Sequence, residues 1–438
     1  MLKKLIGMGK ISKLLSHPAS ATLTAMHVGA PTAADVVPSA QDALAALIRR
    51  QQDGWSLEAP FYLDPEIFRR DVAALFGRRW LFAGHSCELA EAGDFVTRQI
   101  AGESIILARG SDRSLHAHVN VCRHRASRVC LGERGRVRAF TCPYHGWTYG
   151  LDGKLTHDIA EHGVDARDMS LHRVALAEVA GLLFVNLAAE PASFEPARQA
   201  IEPGTAPHGL ADAKIAYTVD YRVGANWKVI FENNRECYHC AGTHKEYVRA
   251  NYDVDVSLGR NGAAIAARMA ECSARWQRMG LTPAAAQSDM TGSWYRCNRA
   301  PLAPGFVTES LDGQPVGPLM GRITEPDAGT LRVTTFPNFW MHASSDHAVT
   351  TRLTPVAPDE TDVTVCWLVA GGAVEGRDYG FERLTPFWKL TSEQDWALCE
   401  SVQAGVGSSR YRPGPLSRQR ERNVQGFISW YLRELATP

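Results

Sequence analysis

Apolar and polar positions change rhythm several times along the chain. Helical spacing predicts two short helices near residues 40–51 and 65–79, the second opening at Asp64-Pro65. From about Gly93 the rhythm becomes one of short apolar runs: Phe95-Val96, Ser104 to Ala108, and Leu115 to Val119, with Gly110-Ser111-Asp112 as a turn. Further strands are expected at 137–141 and 182–187, so this region reads as a small antiparallel β domain. Pro191, Pro196, Pro203 and Pro207 mark a connection.

Beyond it, Ile215, Tyr217, Val219, Tyr221 and Val223 alternate with mostly polar residues, the period of a half-buried strand. A helix is expected from about Ala225-Asn226-Trp227, and strands at 330–337, 347–355 and 362–369. One closing helix runs through Asp395 and Leu398. Another uses Val424, Phe427, Ile428, Tyr431, Leu432 and Leu435 at 3–4 spacing. The fold class is therefore α+β. Three segments are expected: a basic N-terminal tail over 1–45, a β domain with preceding helices over 46–195, and a second domain over 196–438. No internal repeat is visible.

Composition narrows this picture a little. With 438 residues the chain suits two domains, and Lys plus Arg balances Asp plus Glu at 47 each. That balance argues against a general nucleic-acid binder. No stretch is long and apolar enough to span a bilayer. The ten cysteines are scattered, which fits a reducing cytoplasm better than a secreted disulfide scaffold. The first 34 residues carry Lys3, Lys4, Lys10 and Lys13 and no acid, with Leu2, Leu5, Ile6, Ile11, Leu14 and Leu15 able to line one helical face. Gly7 and Gly9 interrupt the apolar part too early for a signal peptide. A transit peptide, a disordered tail and a true start at Met26 remain as readings.

Two constellations carry chemistry. Residues 122–124 read Cys-Arg-His and 142–145 read Cys-Pro-Tyr-His, a C-x-H, seventeen residues, then C-x2-H. A Rieske [2Fe–2S] centre needs two thiolates on one iron and two imidazoles on the other, and Cys122, His124, Cys142 and His145 supply them from two loops. The alternative is zinc, whose motifs usually pair cysteine with cysteine and histidine with histidine. The second constellation is Glu236, Cys237, His239, Cys240 and His244. Glu236 and His239 share a helix face at i, i+3. His239 and His244 would diverge by about 140° on an unbroken helix, so the helix is expected to loosen at Gly242. Three readings stay open on the residues alone. The histidines bind iron with a distant acid, or Cys237, His239, Cys240 and His244 bind zinc, or both histidines are structural.

These motifs resemble the Rieske non-haem iron oxygenase α subunits. The likeness is greatest for the quaternary-ammonium group of glycine betaine monooxygenases and stachydrine (proline betaine) demethylases, over about residues 50–435. It includes Glu232 to Cys240, Ser345 to Val349, Val374 to Tyr379, Ser392 to Asp395, and Pro413-Gly414-Pro415. The resemblance implies a catalytic domain with a curved antiparallel sheet and helices, of helix-grip type. It implies one [2Fe–2S] cluster and one mononuclear non-haem Fe(II) per chain, the latter on His239, His244 and Asp395. By itself, Ser392-x-x-Asp395 also fits a helix capping box. Glu236 matches the acid that links one subunit's cluster histidine to the neighbour's iron-ligating histidine, which implies a ring, commonly a homotrimer. Tyr144 stands where respiratory Rieske proteins have a loop cysteine, so their inter-loop disulfide is not expected and Cys130 has no obvious partner. Ala126 replaces a glycine common in the family.

The resemblance further implies O2-dependent hydroxylation of an N-methyl group on a glycine betaine-like substrate, with release of formaldehyde. Electrons would come from a separate NAD(P)H-dependent flavin or iron–sulfur reductase, since no Gly-rich dinucleotide fingerprint follows a strand. A quaternary ammonium suits an aromatic cage. Trp294, Tyr295, Phe336, Phe339 and Trp340 are candidate walls, against the plain alternative that they are core aromatics. Competing functions are a ring-hydroxylating dioxygenase or another demethylase on the same scaffold, a Rieske electron-transfer protein, and a zinc-stabilised binding module.

Overall fold

The first expected helix forms at Ala40–Arg50. The second starts where Asp64 caps the backbone N–H of Glu66 and Pro65 opens the turn, but it ends at Asp71 and widens into a π turn over Val72–Phe76. The protein, described here by a computed structural model, is covered over residues 40–158, 163, 165–282 and 292–437. The expectations for residues 1–39, including the basic helical face and Met26, lie outside the described residues. Leu44–Pro438 form one compact body.

Its first part is built from three small antiparallel sheets. One runs Leu115–Val119, Glu103–Arg109, Asp94–Ile100, Arg134–Arg136 in spatial order. A second joins Phe140–Thr141, Thr148–Tyr149 and Leu155–His157, so the strand expected at 137–141 is only two residues long. The third pairs Leu81–His85 with Leu182–Asn186 and Ala175–Val179.

The second part holds a six-stranded antiparallel sheet: β1 (Ala213–Val223), β2 (Tyr295–Ala300), β3 (Thr330–Thr335), β4 (Phe339–Ala343), β5 (His347–Ala357) and β6 (Glu360–Ala370), in the order β1-β6-β5-β4-β3-β2. Strand alternation gives the sheet two different faces. On β6, Val363, Val365, Trp367 and Val369 join the core beneath the helices, while Cys366 and Leu368 join a second core. That second core packs Leu331, Val333, Phe339 and Met341 against Phe82, Phe184 and Phe194 of the first part, with Phe82 and Phe339 ring centroids 4.1 Å apart. The sheet is thus a middle layer.

Helices α1 (Trp227–Asn233), α2 (Pro386–Val406) and α3 (Arg422–Ala436) cover the other face. Asn226 caps α1 by accepting from the backbone N–H of Lys228. Helix α3 buries Val424, Phe427, Ile428, Tyr431 and Leu435, the expected stripe. Phe231 anchors the contact, stacked on Phe427 at 5.0 Å and edge-on to Phe336 at 5.3 Å. Beside it, the Tyr62 hydroxyl donates to both Glu232 oxygens at 3.0 Å. Burial pushes the Glu232 carboxyl up to about 8, against the opposing pull of Tyr62 and Lys228. The folded protein then keeps a proton that the unfolded chain releases near 4.5, so this group lowers stability as pH rises between those values. Glu232→Gln is expected to flatten that loss, raising stability at pH 9 relative to pH 5 by on the order of 2 kcal/mol in urea unfolding.

Candidate active site and cluster loops

The two cysteine–histidine loops adopt the same conformation. In the first, Cys122 N–H bonds the Ser127 carbonyl at 2.8 Å and Ala126 N–H returns to the Cys122 carbonyl at 3.0 Å. In the second, Cys142 N–H bonds the Trp147 carbonyl at 2.8 Å and Gly146 N–H returns to the Cys142 carbonyl at 3.0 Å. Each loop needs a left-handed residue four positions after its cysteine: Gly146 has φ 74° and Ala126 has φ 59°. The alanine therefore carries the strain that the glycine avoids. Ala126→Gly is expected to stabilise the protein by up to about 1 kcal/mol in thermal or denaturant unfolding.

Both cysteines are buried free thiols, while His124 and His145 are half-exposed, with ring centroids 4.6 Å apart. The Tyr149 hydroxyl accepts from Arg123 N–H at 3.0 Å and lies 3.2 Å from Cys122 Sγ, within hydrogen-bonding distance. Two sulfurs inside and two imidazoles outward is the donor arrangement of a Rieske cluster. Cys130 is a buried free thiol, and burial pushes it up to about 12.

The second constellation sits after α1. That helix ends at Asn233, so Glu236 and His239 lie in a turn rather than on a helix face. They still meet: Glu236 Oε1 is 2.6 Å from His239 Nδ1, and Oε2 accepts from the backbone N–H groups of Tyr238 and His239. His239 and His244 flank a single helical turn, Cys240–Thr243. The break comes at His244, with φ −112° and ψ 75°, and not at Gly242 as expected. The break brings both rings to one point, with centroids 5.2 Å apart.

That point is Asp395 Oδ1, 3.3 Å from His239 Nε2 and 3.0 Å from His244 Nε2. Asp395 lies well inside the 21-residue helix α2, so the capping-box reading fails: Ser392 and Asp395 have helical turns before them. Burial pushes the Asp395 carboxyl up, but the two histidines more than offset this and hold it below its ordinary value. Burial pulls His239 down, and Asp395 and Glu236 together raise it to about 9. His244 Nδ1 pairs with the Gln394 side chain at 2.7 Å, so each imidazole is oriented through its second nitrogen. Cys240 Sγ also lies within 4.8 Å of both histidine donors, but it is bonded to Cys237 in a disulfide. The four-donor zinc reading is thereby overturned, because both sulfurs are spent on each other.

A cavity of about 150 Å³ opens beside the three residues, the size at which an engineered cavity holds benzene. Its walls include Tyr247, Trp340, Trp388 and Thr391, together with Arg235, Arg296 and Arg332.

Two family models match the chain: the Rieske [2Fe–2S] domain over residues 79–167 and the ring hydroxylating alpha subunit (catalytic domain) over 210–437. The chain belongs to the Rieske oxygenase α subunits. It is 37% identical over 405 residues to the glycine betaine monooxygenase oxygenase subunit of Pseudomonas aeruginosa, covering 92% of this chain and 94% of that one. The corresponding subunit of Chromohalobacter salexigens is 39% identical over 403 residues, covering 91% and 89%. Among solved structures, a quaternary ammonium Rieske monooxygenase in complex with L-carnitine matches with a TM-score of 0.60 and 22% identity, covering 90% of this chain and 99% of that one.

An α subunit of this kind implies a [2Fe–2S] cluster and a mononuclear iron. The residues fit both groups: two buried thiols with two surface-edge imidazoles for the cluster, and two imidazoles with one carboxylate converging on a point for the iron. A catalytic domain after the cluster domain also removes the electron-transfer-protein reading, which needs only the first. No helix among the described residues is long and apolar enough to cross a membrane.

Of the expected aromatic walls, only Trp340 lines the cavity. Phe339 is its strand neighbour and so faces the second core, where Tyr295 also packs. Trp294 leans on Tyr295 and Phe194, at 5.2 and 6.1 Å, and Phe336 is enclosed between α1 and α3 by Phe231 and Phe427. Phe336 and Phe339 are thus core aromatics, and Trp294 and Tyr295 are half-buried residues packed against the core, none of the four in the cavity lining. Trp388 and Tyr247 were not anticipated. Their signal was present: Trp388, Thr391 and Asp395 are spaced i, i+3, i+7, one face of a helix.

Proposed function

We propose that this oxygenase subunit removes an N-methyl group from a small quaternary-ammonium carboxylate of the glycine betaine type. The observation that carries this is the likeness, along nearly the whole chain, to glycine betaine monooxygenase oxygenase subunits of two organisms. The cavity supports it by its small volume and its tryptophan walls, whose faces attract a methylated cation.

His239, His244 and Asp395 would hold one Fe(II), and Cys122, His124, Cys142 and His145 one [2Fe–2S] cluster, in each chain. When bound, these groups supply O2 activation and single electrons. The chain's own residues do the rest. Trp340, Trp388 and Tyr247 enclose the ammonium and keep water from the reacting methyl. Glu236 fixes the His239 ring, and its carboxylate has the capacity to accept a second imidazole N–H from a neighbouring subunit's cluster edge. That arrangement assembles as a ring, and a homotrimer is the simplest form consistent with it.

The net reaction takes the N-methyl substrate, O2, two electrons and two protons to an N-hydroxymethyl product and water. That product collapses to formaldehyde and the demethylated amine. The electrons come from NADH or NADPH through a separate reductase. Eight of the ten cysteines are free thiols, which suits the cytoplasm. We keep 46–195 and 196–438 as the cluster and catalytic domains.

The test is formaldehyde release from glycine betaine, stachydrine and carnitine, using reconstituted protein, NADH and a surrogate reductase. Release from a betaine, at one formaldehyde per O2 consumed, is expected. A reducible cluster and bound iron without release from any of the three would defeat the reading.

A further inference from the structure

Strands β2, β3 and β4 lay two rows of side chains across the cavity floor. Arg296 pairs with Thr334, and Thr334 with Trp340; Asn298 pairs with Arg332, and Arg332 with His342. In the first row the small Thr334 sits between a cation and an indole, two strand spacings or about 10 Å apart. Thr334 does not separate them with a bulky side chain, and its Oγ1 accepts from the buried Arg235 guanidinium at 3.1 Å, so Arg296 and Trp340 line one cavity with Arg235 between them.

Four other charged groups near this row have partners. Arg332 is held by Asp253 at 2.5 and 2.7 Å and by Asn251 at 2.8 Å. Asp253 also accepts from Tyr247 at 2.9 Å, and Glu309 faces His342 at 3.2 Å. Arg235 donates to Thr334 Oγ1 at 3.1 Å and to Asn234 Oδ1. Arg296 differs. Only its Nε is engaged, donating to Asn298 Oδ1 at 2.9 Å; among the described residues neither terminal nitrogen meets a protein acceptor and no carboxylate is paired with it. Burial, with Arg332 close by, pulls this guanidinium down to about 10, and Asp253 restores only part of the difference. A half-buried cation without a counter-ion is costly, and a ligand anion would reduce that cost. Guanidinium also matches a carboxylate with two parallel donors.

We infer that Arg296 binds the substrate's carboxylate, so that a small zwitterion spans the cavity floor with its methylated ammonium against Trp340 and its anionic end on β2. This rests on the betaine reading of the site and adds to it the residue that separates zwitterionic betaines from cationic quaternary alcohols, which lack the carboxylate. Arg296 then sets which molecule enters, while the iron-ligand triad sets what happens to it.

The experiment titrates reconstituted wild type, Arg296→Gln and Arg296→Lys with glycine betaine and with choline, which has the same trimethylammonium and no carboxylate. Heat of binding and formaldehyde release are read separately. Arg296→Gln is expected to weaken glycine betaine binding roughly 10- to 100-fold, to leave choline within about threefold, and to be partly rescued in Arg296→Lys. The cluster spectrum and iron content report that each variant has folded. Equal loss for both ligands, no loss for glycine betaine, or no betaine binding by wild type would overturn the inference. Selective loss of betaine binding without formaldehyde from any betaine would leave the carboxylate subsite standing and defeat the demethylation reading alone. Demethylation by wild type, unchanged in Arg296→Gln, would do the reverse.

Discussion

Asp395→Asn is expected to strip the mononuclear iron and to lower turnover to below about 1% while leaving the cluster's visible spectrum intact. The substitution keeps the side chain's size inside α2 and changes only its charge. Asp395 Oδ1 is the atom to which both His239 Nε2 and His244 Nε2 point, at 3.3 and 3.0 Å. Two neutral imidazoles and a neutral amide are a weak set for Fe(II), which favours two histidines and a carboxylate. The cluster loops share no residue with the triad, so their absorbance should not change. Metal analysis and visible spectroscopy on the same sample provide the check. Iron content and turnover at the wild-type level would show that Asp395 is only a buried partner of the histidines.

Glu236→Gln is expected to do something different: keep the iron, keep a reducible cluster, and slow turnover by on the order of 100-fold. Glu236 Oε1 holds His239 Nδ1 at 2.6 Å, and a glutamine oxygen can still accept there. The amide nitrogen cannot replace the second oxygen, which accepts from the backbone N–H groups of Tyr238 and His239 and has the remaining capacity for a second imidazole. The deficit should therefore appear in the link between subunits. Rapid mixing of pre-reduced protein with O2 and substrate would measure cluster reoxidation directly. A normal reoxidation rate with slow product formation would place the role of Glu236 at the iron instead.

The legibility of this chain in its sequence followed the distance over which each feature is encoded. The proposed cluster ligands lie in two short loops, so spacing alone was enough to group them. Asp395 is 151 residues from His244, and only the family likeness linked them; its local context pointed to a cap, because nothing nearby shows that α2 begins as early as Pro386. The aromatic walls failed for a similar reason. The strands Tyr295–Ala300 and Phe339–Ala343 were not recognised, so the alternation that separates Trp340 from Phe339, and Arg296 from Tyr295, could not be applied. The helix over Gly262–Arg278 was also missed; it buries only Ile265, Cys272 and Trp276 among many exposed alanines and arginines, a thin stripe. The Cys237–Cys240 bond was not anticipated: the scattered cysteines speak to compartment, and these two read as possible zinc ligands, with no geometry to pair them.

The two unlike faces of the sheet also limit how its strands can change length. A one-residue insertion within β2, β3 or β4 would exchange the faces of every residue beyond it. Arg296 and Arg332 would then enter the layer now occupied by Phe82, Phe184 and Leu331, where the buried Arg299 already takes the Ala328 and Gly204 carbonyls and His208 as partners. Trp340 and Phe339 would trade places in the same step. Relatives with altered pockets should therefore differ by substitution on these three strands, with insertions and deletions confined to the segments that join them, such as 301–329. The arginines that line the cavity thus act as markers of strand phase, making every slipped pairing too costly to persist.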